Sequence, residues 1–153
     1  MPYIRNNTTG DVTWHDSSEN YQLKAGEENI GNEYRPGFSL AAAWEGIKIE
    51  RERRKAGGVK VGDKWFHSDD GSRIQQMGLV MMGAGIPAGL QWKTMDGTFI
   101  PMTPAFASQI FQAVAASDQA IFAVAETHRA AMEASADPAA YDYSTGWPKV
   151  FGE

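Results

Sequence analysis

The sequence predicts an α+β fold in which two short β-hairpins alternate with three helices, in the order α-ββ-α-ββ-α. Two turn pairs, Gly62-Asp63 and Asp96-Gly97, each stand between short runs of strand character. Three other stretches carry apolar residues at helical spacing behind a residue suited to cap a helix. The last of them continues for roughly 30 residues, about 45 Å of helix at ~1.5 Å per residue. These observations divide the chain into an extended or β-hairpin N-terminal segment over 1–38, a small α+β domain over 39–136, and a C-terminal aromatic arm over 137–153.

Each element has its own local reason. Tyr3-Ile4-Arg5 and Val12-Thr13-Trp14 flank a polar run from Asn6 to Asp11, which reads as two short strands around a turn. From Asp16 to Gly37 apolar residues are sparse and no period emerges, so this stretch reads as extended or loop structure. Ser39 suits a helix N-cap, and Leu40, Ala43, Trp44 and Ile47 follow as an apolar stripe. The helix continues through the charged run Lys48 to Lys55 until Gly57-Gly58 ends it. Glycine first in the loop Gly62-Asp63 suits a type II′ turn, which pairs Val59 with Phe66 and Lys60 with Trp65.

A second helix starts from about Asp69 or Ser72 and reaches Met82, with Ile74, Met77, Gly78 and Met81 on one face. Gly83-Ala84-Gly85-Ile86-Pro87 breaks it. Gln91 to Thr94 and Thr98 to Pro101 then form the second hairpin about Asp96-Gly97. Thr103-Pro104 opens the long helix as N-cap and first helical residue. Ile110, Val114, Ile121, Val124 and His128 make its stripe, with Ser117 at the intervening position, and Asp137-Pro138 stops it near Ser135. A helix this long exceeds the core of so small a domain, so part of it is expected to pack on another chain or on the N-terminal segment. The aromatic arm, with Tyr141, Tyr143, Trp147 and Phe151, is either a docking arm for a partner or a strap over its own core.

Composition narrows the function classes. Apolar residues at 42% and charged residues at 22% are ordinary for a soluble globular protein. No run approaches the ~20 apolar residues that cross a bilayer, so no membrane association is expected. The chain has no cysteine, which removes disulfides and thiolate metal sites. Net charge is −5, and the one basic segment, residues 48–64 at +4, is short. Nucleic-acid binding needs a broad cationic face, so nucleic acid is not the expected partner.

Candidate chemistry is sparse. Gly83 to Gly89 follows a helix and leads into a strand, the reverse of a phosphate-binding loop, so it reads as a linker. His15, His67 and His128 lie in three different elements, with no helical pair to hold a metal. His128 reads as a packed histidine. His67-Ser68-Asp69-Asp70 has catalytic residue types as sequence neighbours, an arrangement that seldom lets a nucleophile meet its base, and Ser68 or Asp69 reads better as a helix cap. Twelve positions on from Asp69 stands Val80, not the glutamate of a calcium loop. The run Arg51 to Lys55 reads as a solvated helix end, with an acidic partner or phosphate as the alternative. No catalytic residue, cofactor or metal is assigned. The aromatics, five of them Trp and five Tyr, suit protein interfaces, with carbohydrate binding as the competing use.

One resemblance adds to this. Ile49 with Arg51-Glu52-Arg53-Arg54, Gly57-Gly58-Val59, Trp65 followed by Ser68-Asp69, Trp92-Lys93 with Asp96-Gly97-Thr98-Phe99, and Thr103 opening a helix with Val114 and Phe122 carry it. In order and spacing these pieces resemble an uncharacterised domain family of bacteriophage tail proteins, over about 47–132. Such proteins resemble tail-fibre assembly chaperones. The resemblance implies a non-enzymatic accessory protein whose partner is a phage tail-fibre or tail protein, with a homo-oligomer as a further option. It implies work in the host cytoplasm during assembly, and in the virion tail if the protein is retained. A permanent structural tail component is the alternative, and a carbohydrate-binding module or small enzyme the third reading. Trp65, Trp92, Phe99 and Trp147 are the expected partner contacts.

Overall fold

In a computed structural model of the chain, residues 3–14, 22–31 and 38–153 are described. The chain separates into two compact units at Phe38/Ser39. In the first, β1 (Tyr3–Asn6) pairs antiparallel with β2 (Val12–Trp14) and with β3 (Glu27–Asn29) on its other edge. The two expected strands are present. The third lies in the stretch expected to be extended or loop, where Glu-Glu-Asn carries no apolar alternation that marks a strand. The Asn6 side chain accepts from the amides of Thr8 (2.9 Å) and Thr9 (3.1 Å), which folds the β1–β2 turn.

The second unit has the expected order. It comprises α1 (Leu40–Lys55), β4 (Val59–Val61), β5 (Lys64–Phe66), α2 (Asp70–Met82), β6 (Gln91–Lys93), β7 (Phe99–Pro101) and α3 (Pro104–Ala134). The class is α+β, with two hairpins alternating with three helices. Each helix begins at an expected cap. Ser39 Oγ accepts from Ala42 N–H (3.0 Å), Asp69 Oδ1 from Ser72 N–H (3.0 Å) and Thr103 Oγ1 from Phe106 N–H (3.1 Å). The first hairpin has the predicted register, Val59 opposite Phe66 and Lys60 opposite Trp65. In the second, Trp92 faces Ile100 and Lys93 faces Phe99. Its turn depends on the Asp96 carboxylate as much as on the glycine. Asp96 accepts from Thr98 N–H (2.9 Å), from the hydroxyls of Thr94 and Thr98, and from Lys64 Nζ (2.7 Å). These bonds, that from Lys64 foremost, hold its pKa well below the usual carboxylate range.

Helix α3 is the spine, and α1, α2 and β4 all pack on it. Around its first half, Val59, Phe66, Leu79, Ile86 and Met102 close over Ala107, Ile110 and Val114. Around its second half, Ile47 and Trp147 close over Ile121, Ala125 and Met132. This unit's own elements cover the buried stripe along both halves, while Phe111 and Phe122 of α3 stay 42% and 40% exposed. Part of that cover is the C-terminal arm, which is a strap.

The strap is held by matched polar groups at a largely apolar seam. His128 Nε2 lies 2.8 Å from the Thr145 carbonyl oxygen, which can only accept, so Nε2 carries a proton. In the neutral ring Nδ1 then accepts from the Tyr141 hydroxyl at 2.8 Å. Trp147 stacks on the same imidazole at 5.3 Å and donates its indole N–H to the Tyr143 carbonyl (2.6 Å). Farther on, Phe151 N–H bonds the Gly57 carbonyl (2.9 Å). Val150 packs so tightly that a Cβ at Gly57 would come within 2.4 Å of its Cγ1. Gly57 is thus the landing place of the strap as well as a helix stop.

Helix α2 overturns the orientation that its apolar stripe invites. Ile74, Met77 and Met81 do share a face, and that face points outward, at 65%, 46% and 81% exposure. The inward face is Arg73, Gln76, Leu79 and Val80. Two of those four are polar and engaged: Arg73 forms a bidentate pair with Asp118 of α3 (2.6 and 2.9 Å), and Gln76 donates to the His67 carbonyl (2.7 Å). Hydrophobic periodicity cannot see a buried face built on polar anchors.

Candidate functional site

The strand alternation of the second hairpin turns Trp92 and Ile100 toward the core, where both pack against it, and leaves Phe99 61% exposed. Beside this hairpin lies a groove of about 260 Å³. Trp92 and Phe99 line it together with Gln91, Lys93, His67 and, from the start of α2, Ser72 and Gln75. Two of the four expected contact residues, Trp92 and Phe99, are thus brought together. Trp65 lies elsewhere, half-buried on the first hairpin with its ring edge against Phe151 at 6.3 Å. Trp147 is 8% exposed and belongs to the core under the strap, so its expected role as a contact anchor is corrected.

The sequence-adjacent pair His67 and Ser68 faces two ways. His67 lines the groove just described, whereas Ser68 is fully buried at a junction of helix ends. Its hydroxyl donates to the Lys55 carbonyl (2.6 Å) and accepts from Gly58 N–H (2.8 Å). Arg73 donates to the same Lys55 carbonyl (2.9 Å) and to that of Ser68. The Asp118 carboxylate raises the Arg73 pKa further above its ordinary value. With its one proton already donated, Ser68 ties the end of α1 to the start of β4 and is not poised as a nucleophile. Beside this junction a polar cleft of about 240 Å³ is lined by Glu52, Lys55, Asp69, Asp70 and Arg73. Asp69 caps α2, and the Ser72 hydroxyl holds its pKa below the ordinary value. Among the described residues no group of three His, Cys, Asp or Glu side chains is placed to hold a metal ion. His15 lies outside the described residues.

Each cation of the run Arg51 to Lys55 is paired with a carboxylate. Arg53 and Arg54 both bond Glu50 at 2.7 Å, and Arg51 and Lys55 pair with Glu52 at 2.8 and 3.0 Å. Arg51 also lies over the Phe122 ring at 4.6 Å. Glu50 is held at a pKa of about 2, chiefly by the Arg53 hydrogen bond. Arg54 is buried and reaches the Pro148 carbonyl (3.2 Å) and Glu153 (2.7 Å), so part of this charge fastens the strap.

The surface that the sequence reading missed is the outer face of α2. Ile74, Met77, Met81 and Met82 are each at least 46% exposed, and from Ile74 to Met82 the helix carries no charged residue. That absence was the available signal. An uncharged outer face of isoleucine and methionine beside an already packed inner face marks a surface suited to a partner. No helix among the described residues is long and apolar enough to cross a membrane.

No curated protein and no solved structure matches the chain. A family model described as a domain of unknown function, DUF4376, matches residues 39–145, from the cap of α1 to the strap residue that accepts from His128. That span is most of the chain, and the chain belongs to the DUF4376 family.

Proposed function

We propose that this protein is a non-enzymatic bacteriophage tail accessory protein that binds a tail-fibre or tail polypeptide and acts as a tail-fibre assembly chaperone. The resemblance of residues 47–132 to phage tail proteins supports the setting. The observation that carries a binding role is the bare apolar face of α2, Ile74, Met77, Met81 and Met82. Methionine side chains adapt their shape at little cost, which suits a surface that must hold a partner before and during its own rearrangement. The physical role is to cover apolar surface or strand edges of an immature fibre until its chains pair.

Co-expression with the tail fibre of its phage tests this. The wild-type chain should raise the yield of soluble, trimeric fibre, and a Met77→Ser/Met81→Ser variant should not. Equal rescue by that variant would sink the assignment to α2, and no association of the wild-type chain would sink the proposal itself. Mass spectrometry of mature particles separates a departing chaperone from a permanent tail component, which would be present at fixed stoichiometry. The groove at Trp92 and Phe99 favours a second reading, glycan binding, because an exposed ring beside amides and a hydroxyl suits a sugar. Binding of host polysaccharide, lost in Phe99→Ala, would support it.

A further inference from the structure

Eleven lysine and arginine side chains lie between Ser39 and Glu153. Eight of them, among them all five from Lys48 to Lys55, pair with a carboxylate. Lys60, Lys93 and Lys149 are the three that form no ion pair among the described residues. Two of the three, Lys60 and Lys149, line one cleft of about 170 Å³, and Trp65 of the first hairpin is part of the same lining. Among the described residues no carboxylate lines it.

The cleft exists because of a step in the α3 stripe. Where the spacing of Ile110, Val114 and Ile121 calls for a bulky residue, the helix has Ser117, with Ala113 one turn before it. These small side chains leave the floor open. Lys60 stands opposite Trp65 in the hairpin, and Phe151 braces the indole edge. The result is two ammonium groups and a hydroxyl around an aromatic wall, on a chain whose net charge is −5.

We propose that this cleft receives an acidic side chain and its apolar neighbour from a partner polypeptide. The carboxylate lies between Lys60 and Lys149, Ser117 can donate to it, and the apolar neighbour packs on Trp65. The volume falls below the ~300 Å³ at which pockets enclose a whole small molecule, and fits one side chain. Two lysines on an acidic protein do not make the broad cationic track that a nucleic acid needs. The inference rests on the reading of this protein as a polypeptide-binding accessory protein, and it names the chemistry of the bound segment.

The test uses the full chain labelled with nitrogen-15, in which the Trp65 indole signal is assigned by its loss in Trp65→Phe. The probes are a peptide of alternating glutamate and leucine, a thymidine oligonucleotide and inorganic phosphate. The peptide should shift the Trp65 signal. Its Kd should weaken by about tenfold in Lys60→Glu and in Lys149→Glu, and by a similar factor when salt rises from about 50 to about 500 mM. Lys48→Glu changes the net charge equally outside the cleft and should leave the Kd within about twofold. An unmoved Trp65 signal, equal weakening by Lys48→Glu, or a stronger response to phosphate or the oligonucleotide overturns the proposal. A successful peptide titration with failed co-purification of fibre supports the cleft and overturns the tail-fibre reading. Fibre binding that survives Lys60→Glu/Lys149→Glu overturns the cleft and leaves that reading standing.

Discussion

The two halves of α3 are covered in different ways. Around its C-terminal half, α1 and the strap close the core with aromatic rings, and the charged side of α1 above it is a mesh of ion pairs around Glu50 and Glu52. Around its N-terminal half, α2 closes the core from beneath and presents isoleucine and methionine above. One half is sealed by the strap, with the charges of α1 paired within the unit and Leu40 and Ile49 as separate apolar side chains at its surface. The other is left with apolar surface that water meets unfavourably. Stability alone would place charges on both outer faces, so the difference marks α2 as the face with a task beyond folding.

The largest effect should come from opening the sealed half. Trp147→Ala removes a buried ring, its stack on His128 and its bond to Tyr143, and should cost about 3–5 kcal/mol in denaturant unfolding. A loss under about 1 kcal/mol would mean that the strap is ornamental. Next is the clamp that joins the halves. Asp118→Asn leaves Arg73 without its charged partner and should cost about 2 kcal/mol. Asp118→Glu should recover part of that, which separates the ion pair from simple intolerance at the site.

A third test uses acid. The folded-state acidity of Glu50 is about 2, below the ordinary 4.5, so its contribution is complete above about pH 4.5 and fades as pH falls toward 2. Unfolding midpoints should therefore fall more over this window in the wild-type chain than in Glu50→Gln. Equal falls would show that the ion-pair mesh adds nothing to the sealed half. The smallest effect on stability belongs to the open half. Met81→Ser lies at the most exposed of the four apolar side chains on the outer face of α2 and should change unfolding by less than about 0.5 kcal/mol. A larger loss would mean that this face is already packed.

What was legible in the sequence was local. Caps at Ser39, Asp69 and Thr103, the register of Val59 with Phe66, and the proline that opens α3 are each decided within a few residues. What was hidden depends on distant partners. Strand β3 is polar and is identified by its pairing with β1. The orientation of α2 is set by Arg73 and Gln76, whose partners lie 45 and 9 positions away. Trp147 looked like a free anchor because nothing nearby in sequence shows that His128 awaits it. The groove at Trp92 and Phe99 was half legible: the aromatics were chosen from the sequence, whereas His67 and Gln75 joined them only through the fold.

The junction at Lys55 has a consequence for how the unit opens. The carbonyls in the last turn of a helix have no partner within it, and here one of them receives both Ser68 and Arg73. Arg73 belongs to the first turns of α2 and at the same time grips the middle of α3. The end of α1 therefore cannot fray without releasing the start of α2, nor α2 lift without freeing α1. Three helices share one latch, so their amides around it should exchange with solvent as a single cooperative event.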